Sequence, residues 1–209
     1  MSKIEFKKML KHLYNPPKKF TLVEVPEMQF LMINGEGDPN QAQEYQDALA
    51  ALYAVAYKLK FTSKKSLEKD YTVPPLEGLW WADDMDTFTI KREKSQWKWT
   101  MMIMTPDWIT TAMFNLAIDQ VRRGKNPISL DKIRLETYQE GLSVQIMHVG
   151  SYDDEAPVLD ELHKVYIPQN GYIENGLHHE IYLSDPRRVP PEKLKTVLRQ
   201  PVLEKLRSS

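Results

Sequence analysis

The chain of 209 residues contains no cysteine, which excludes disulfides, thiolate metal sites and cysteine nucleophiles. It also contains no apolar run near the roughly 20 residues that a membrane-spanning helix needs. The first ten residues, MSKIEFKKML, carry charges throughout and no apolar core, so a secretory signal is not predicted. These absences favour a reducing compartment, and we expect a cytoplasmic protein with no membrane partner.

The chain also lacks an excess of charge of either sign, because it contains 28 Lys and Arg and 29 Asp and Glu. The one local basic excess, over residues 3–19, is interpreted as a solvated segment. We therefore expect no direct binding to nucleic acid. Neither a metal-ligand spacing such as HExxH nor a glycine-rich phosphate loop is present, so we expect no metal and no cofactor.

Two helices are predicted from a cap residue followed by proline, at Asp38-Pro39 and at Thr105-Pro106. An apolar stripe at helical spacing follows each of them. A polar linker is predicted over residues 62–70, a short helix over 155–165, and a terminal helix that begins near Pro190 and runs past Lys195 to Arg199.

Strands are predicted where apolar residues alternate or form short dense runs. Their ranges are 20–25, 28–34, 78–81, 87–90, 97–104, 132–138, 142–149 and 178–183. The strands over 132–138 and 142–149 are predicted to form a hairpin across Glu140-Gly141.

The order strand-helix-strand-strand occurs twice, starting from the Met-containing strands near Met32 and Met101. This order predicts an α+β fold with a mainly antiparallel sheet and helices on one face. A groove lined by aromatic side chains is expected on the other face. We predict a single domain over residues 1–209, with 1–19 as an N-terminal extension and 20–209 as the core.

The segment 178–183 brings chemistry-bearing side chains together. Side chains alternate along a strand, so His178, Glu180 and Tyr182 share one face, with the carboxylate between the imidazole and the phenol. His179 and Ile181 lie on the opposite face, which is interpreted as core.

Aromatic residues are the candidate lining of the groove. Trp97 and Trp99 share a face and are either both core or both groove, whereas Trp80 and Trp81 point to opposite faces. Tyr138 is a further candidate, with the alternative that it packs at the sheet edge with its hydroxyl in water.

The C-terminal sequence GLHHEIYLSDPRR, followed by PEKLKTVLRQPV, resembles the signature of the GyrI-like small-molecule-binding proteins. The order of elements from about Phe20 onward agrees with that family. The resemblance implies a pseudo-symmetric domain with a groove between its halves, and Glu180 matches the family's pocket glutamate. Family members bind bulky, flat, often cationic aromatic compounds, and some are effector-binding domains of multidrug-sensing activators. A subset of the stand-alone members that this chain resembles is described as hydrolases that open the cyclopropane ring of DNA-alkylating natural products.

Two uses of Glu180 follow from the resemblance and stay open at this point. Glu180 could offset the charge of a cationic ligand, assisted by cation–π contacts with tryptophan or tyrosine. It could also act as a general base, with Tyr138 or Tyr182 holding a substrate oxygen. His178, Trp80, Trp81, Trp97 and Trp99 are the remaining candidate ligand-binding residues. The alternative is a non-catalytic sequestering or adaptor protein, whose partner could be DNA gyrase or a transcription regulator.

Overall fold

The computed structural model describes residues 2–83 and 93–206, so the predicted strand over 87–90 lies outside the described residues. The strands are β1 (Thr21–Val25), β2 (Met28–Glu36), β3 (Leu76–Trp81), β4 (Lys98–Thr105), β5 (Arg134–Tyr138), β6 (Gly141–Val149), β7 (Tyr172–Glu174), β8 (His178–Tyr182) and β9 (Lys195–Glu204). The α-helices are α1 (Phe6–Met9), α2 (Lys11–Tyr14), α3 (Gln43–Ser66), α4 (Thr111–Gly124), α5 (Ala156–Asp160) and α6 (Ile167–Gln169).

Shorter helical turns complete the described secondary structure. A π-helical turn, Glu161–Tyr166, joins α5 to α6. The 3-10 turns are Lys94–Gln96, Leu130–Lys132, Tyr152–Glu155 and Pro191–Lys193. No helix among the described residues is both long and apolar enough to cross a membrane.

The chain divides into two compact units, each with an antiparallel sheet. Unit 1 comprises Met1–Met9 and Met28–Tyr138, and unit 2 comprises Leu10–Glu27 and Gln139–Ser209. Strand order in unit 1 is β3-β4-β2-β5, and α3 packs on β2, β4 and α4. Strand order in unit 2 is β1-β6-β9-β8, with β7 paired to β9. The mixed α+β class with a mainly antiparallel arrangement is confirmed.

The duplicated order of elements is present, but its second copy does not begin where the sequence indicated. In unit 1 the copy is β2, α3, β3 and β4. In unit 2 it is β6, the helical segment of residues 152–169, β8 and β9. The strand near Met101 is the last strand of the first copy, because β4 pairs with both β2 and β3. The predicted second start at Met101 is therefore wrong.

The predicted hairpin across Glu140-Gly141 is also wrong. Strand β5 pairs with β2, whereas β6 pairs with β1 and β9. Glu140 is buried and bonded to Arg199 and His179, so it belongs to the interior of unit 2 and does not form an exposed turn.

The predicted terminal helix is a strand. Only the 3-10 turn Pro191–Lys193 is helical, and Lys195–Glu204 pairs with β6 and β8. Seven consecutive residues of β9 are buried, on both faces of the sheet. A strand buried on both faces shows no apolar–polar alternation, so periodicity cannot separate it from a helix.

Both long helices begin later than the cap-proline pairs indicated. Helix α3 starts at Gln43 and runs through much of the predicted linker to Ser66. Helix α4 starts at Thr111, and the backbone N–H of Met113 donates to the Thr110 side chain at its N-terminus. The pairs at Asp38 and Thr105 belong to the turns before the helices.

A buried ion pair holds the N-terminal segment of unit 2 to its sheet. Arg199 Nη1 donates to Glu140 Oε2 at 2.9 Å, and Arg199 Nη2 donates to the carbonyl oxygen of Leu13 at 2.8 Å. Gln145 Oε1 accepts from Arg199, and His179 Nδ1 lies 2.9 Å from Glu140 Oε1. Burial alone raises the pKa of Glu140, but the charges of His179 and Arg199 outweigh it and lower that pKa to about 2.

We predict that Arg199→Met lowers the free energy of unfolding by about 3–5 kcal/mol, because it leaves the Glu140 carboxylate buried without its counter-ion. Urea unfolding followed by circular dichroism measures this difference. Lys164→Met is the matched control, since its ion pair with Asp160 is exposed, and it should cost less than about 1 kcal/mol. Equal losses in the two variants would contradict this role of Arg199.

Candidate functional site

Strand β8 carries a polar row made of His178, Glu180 and Tyr182, called the β8 row below. The Tyr182 hydroxyl donates to Glu180 Oε2 at 2.7 Å. His178 Nε2 lies 3.5 Å from Glu180 Oε1. The Glu180 side chain is only 15% exposed, so the carboxylate is held between two polar neighbours with little access to bulk water.

The β8 row lies on the face of the unit 2 sheet that carries the helical segment. Glu180 stands opposite Leu198 on β9, and Val202, four residues further along the same face, packs with Leu162 and Ile167 of that segment. The groove was expected on the face away from the helices. For the β8 row that expectation is wrong, because the pairing of β8 with β9 turns these side chains towards residues 152–169.

Tyr152 joins the row from the 3-10 turn Tyr152–Glu155. Its ring centre lies 5.8 Å from that of Tyr182, at an interplanar angle of 84°. Burial raises the pKa of Tyr152 to about 12, and the nearby carboxylates of Glu155, Glu180 and Asp185 act in the same direction. A phenol in this position keeps its proton across the physiological range and can donate it in a hydrogen bond.

Sequence reasoning did not find Tyr152. The signal that could have placed it is the capping box of Ser151 and Asp154, which encloses it. Asp154 Oδ2 accepts from both the backbone N–H and the hydroxyl of Ser151, which marks the start of a helical turn. Such a box locates a turn, but it does not tell which strand the turn covers.

The imidazole of His178 is buried at the other end of the row. The ring centre of His163 lies 5.9 Å from that of His178, and His163 Nδ1 is hydrogen-bonded to Glu174 Oε1 at 2.8 Å. Burial lowers the pKa of His178, and the charge of His163 lowers it further, whereas Glu180 opposes the shift. The row therefore combines a carboxylate, a phenol and a neutral imidazole. The row can accept a proton, donate a hydrogen bond, or face a cation.

Three of the predicted groove tryptophans lie on the face of the unit 1 sheet that packs against α3. Tyr45 of α3 contacts Trp99 at 5.3 Å and Trp80 at 6.4 Å, and Trp80 contacts Trp97 at 5.8 Å. Trp99 is 0% exposed. A methyl group added at Gly35 would lie 2.1 Å from its ring, so Trp99 fills the space that this glycine leaves. Trp99 is a core residue and has no exposed ring surface for stacking on a ligand.

The last two candidates are placed differently. Trp81 is half-buried, stands opposite Lys98, and points to the face opposite that of Trp80, as alternation predicted. Tyr138 ends β5 opposite Met28 in unit 1, and its strand is not part of the β8 row. No cluster of three or more potential metal ligands occurs in the part of the chain that the structure describes.

Comparison with known proteins gives a family match over most of the chain. Residues 18–203 match the family model described as a GyrI-like small molecule binding domain. The chain is 40% identical to an uncharacterized conserved protein from Listeria innocua, with a TM-score of 0.88 over 96% of this chain and 100% of that one. It is 38% identical to a hydrolase from Listeria innocua, with a TM-score of 0.87 over 97% of this chain and 100% of that one.

More distant structures share the fold. The C-terminal domain of EcmrR is 13% identical, with a TM-score of 0.55 over 90% of this chain and 98% of that one. No curated protein is similar enough to this chain to count as a match. The resemblance inferred from the C-terminal sequence is thereby confirmed at the level of the family.

We predict that Gly35→Ala destabilises the protein by about 1–3 kcal/mol, because the added methyl group collides with the buried ring of Trp99. The control is Gly124→Ala in α4, where an added methyl group meets nothing within 4 Å. That change should stabilise the protein by up to about 1 kcal/mol. Thermal unfolding of both variants measures the contrast. A neutral Gly35→Ala would contradict the placement of Trp99 in the core.

We also predict that Glu180→Gln lowers the pKa of Tyr152, because one of the negative charges that raise it is removed. NMR of ring-labelled tyrosine between pH 9 and 13, with Tyr152→Phe for assignment, measures the shift. Glu161→Gln is the control, since Glu161 is exposed and is not among the charges that act on Tyr152. An unchanged pKa in Glu180→Gln would contradict the proximity of the two groups.

Proposed function

Because the chain belongs to the family of GyrI-like small-molecule-binding domains, we propose that it binds bulky hydrophobic or aromatic compounds at the β8 row and hydrolyses a strained, cyclopropane-type ring in them. The observation that carries the proposal is the hydrogen bond of 2.7 Å from Tyr182 to Glu180 within a largely buried row. A proton donor and a proton acceptor thus lie side by side, and we infer that both contact one substrate.

The relatives support a hydrolytic function. Two solved structures described as hydrolases from Listeria innocua are 38% identical to this chain, and each is covered over its full length. At this identity over whole chains the arrangement of elements is shared. The proposal that their class of reaction is also shared rests in addition on Glu180 and Tyr182 in this chain.

The reaction that this row can support adds one water molecule to the substrate. Glu180 takes a proton from water while the water oxygen bonds to a ring carbon. The ring carbon–carbon bond breaks, and its electron pair moves into the conjugated carbonyl group. The carbonyl oxygen accepts the proton of Tyr182, and the proton on Glu180 returns to Tyr182, so that both side chains are restored.

The position of Tyr152 suits the same chemistry. Its raised pKa keeps it protonated, and its ring contact with Tyr182 brings a second phenol to the row. We assign it to orienting the substrate oxygen or the ring of Tyr182. Tyr138, which belongs to β5, has no role in this proposal.

A second candidate function is binding without reaction. The observation that favours it is the carboxyl group of Glu180, which has the hydroxyl of Tyr182 and an imidazole of lowered pKa as neighbours. Such a group favours a cationic aromatic ligand, which the phenol rings can also attract. Such a protein would sequester the compound, or report it to an adaptor or regulatory partner.

We predict that wild-type protein converts a cyclopropane-bearing DNA alkylator into a ring-opened product with one added water, detected by mass spectrometry. Glu180→Gln should slow this conversion at least about 100-fold, as expected for loss of a general base. Calorimetry should find its affinity for a neutral compound nearly unchanged. Glu161→Gln should react like wild type.

The outcomes separate the two functions. If no compound is converted and Glu180→Gln weakens cationic ligands while sparing neutral ones, the protein binds without catalysis. If Glu180→Gln converts the compound as fast as wild type, Glu180 is not the base and the proposed mechanism is wrong.

A further inference from the structure

His178 is a buried polar side chain that the mechanism above leaves without a task. Its side chain is 6% exposed. Neither ring nitrogen has a hydrogen-bond partner among the residues that the structure describes. Buried polar groups in folded proteins nearly always have a partner, so this ring is suited to bond a group that the protein itself does not provide.

The geometry shows where such a group would bind. His178 Nε2 and Glu180 Oε1 are 3.5 Å apart, which is too long for a good direct hydrogen bond but allows both atoms to contact one small third partner. The other carboxylate oxygen, Oε2, already accepts from Tyr182. Oε1 and Nε2 therefore form a ready pair of contacts next to the proposed general base.

The surroundings of His178 lower its pKa and so favour its uncharged form. Burial is the largest of the effects that lower the pKa of His178. The neighbouring imidazoles of His163, whose ring packs at 5.9 Å, and of His179 lower it further, whereas Glu180 raises it. An uncharged His178 can hydrogen-bond without neutralising Glu180.

We propose that His178 is a positioning residue that holds, together with Glu180, one water molecule or ligand hydroxyl. The inference rests on the proposed function, because it assigns the water of that reaction to a specific pair of atoms. A charged His178 would instead pair directly with Glu180 and close the site.

Two substitutions of similar size test the hydrogen bond. His178→Gln retains an uncharged hydrogen-bonding group, whereas His178→Leu removes it. We expect His178→Leu to lower kcat about tenfold with little change in KM, in line with the loss of one hydrogen bond, and His178→Gln to stay within about threefold of wild type. Equal losses in both variants, or no loss in either, would overturn the proposal.

The charge state is tested without any ligand. In NMR titration of the free protein, His178 should ionise below the ordinary value of 6.5, and His163→Gln should move its ionisation to higher pH. Since the folded state disfavours the charged ring, the free energy of unfolding of wild type should fall relative to His178→Gln as the pH drops below 6.5. Ionisation of His178 at or above 6.5 in wild type would refute its assignment as an uncharged group.

These measurements distinguish this proposal from the one on which it rests. If Glu180→Gln abolishes turnover but the His178 variants behave alike, the positioning role fails and the base is retained. If Glu180→Gln leaves turnover intact, the proposed function itself fails, whatever His178 does.

Discussion

The ion pair between Arg199 and Glu140 is the constraint on which the position of the β8 row depends. It lies inside unit 2, and Glu140 also binds His179, which is part of β8. His179 stands opposite Arg199 in the register of β8 with β9. Since a slip by one residue would turn every side chain of a strand to the other face, this buried contact fixes His179 on one face. Its neighbours His178 and Glu180 are thereby fixed on the face that carries the helical segment.

The two faces of β8 thus carry carboxyl groups with different surroundings. On one face, Glu140 is bonded to Arg199 and His179, and this contact stabilises the fold. On the other face, Glu180 has a phenol and an imidazole of lowered pKa as neighbours. The helical segment of residues 152–169 adds Tyr152 and the His163–Glu174 pair to that face. The site therefore depends on a strand and on a helical segment that are distant from each other in the sequence.

Local patterns predicted what is local. Alternation along residues 178–183 indicated that Glu180 lies between His178 and Tyr182 on one face. The same rule indicated that Trp97 and Trp99 share a face. Neither pattern could tell which face the helices cover, because that depends on the pairing of β8 with β9 and on Gly35 leaving room for Trp99. The sequence of β9 wrongly predicts a helix, because a strand that is buried on both faces lacks apolar–polar alternation. Tyr152 and His163 contact the row only through tertiary packing. No periodic pattern in a single sequence indicates such contacts.

Binding and ring opening of a substrate at the β8 row can be seen in the crystal structure of Glu180→Gln with an intact cyclopropane-bearing compound, since this variant should bind the compound and not consume it. We expect the electrophilic ring carbon beside residue 180 and the carbonyl oxygen within hydrogen-bond distance of Tyr182, with a water or hydroxyl touching His178. A compound bound away from β8, with its ring carbon far from residue 180, would show that the β8 row is not the site.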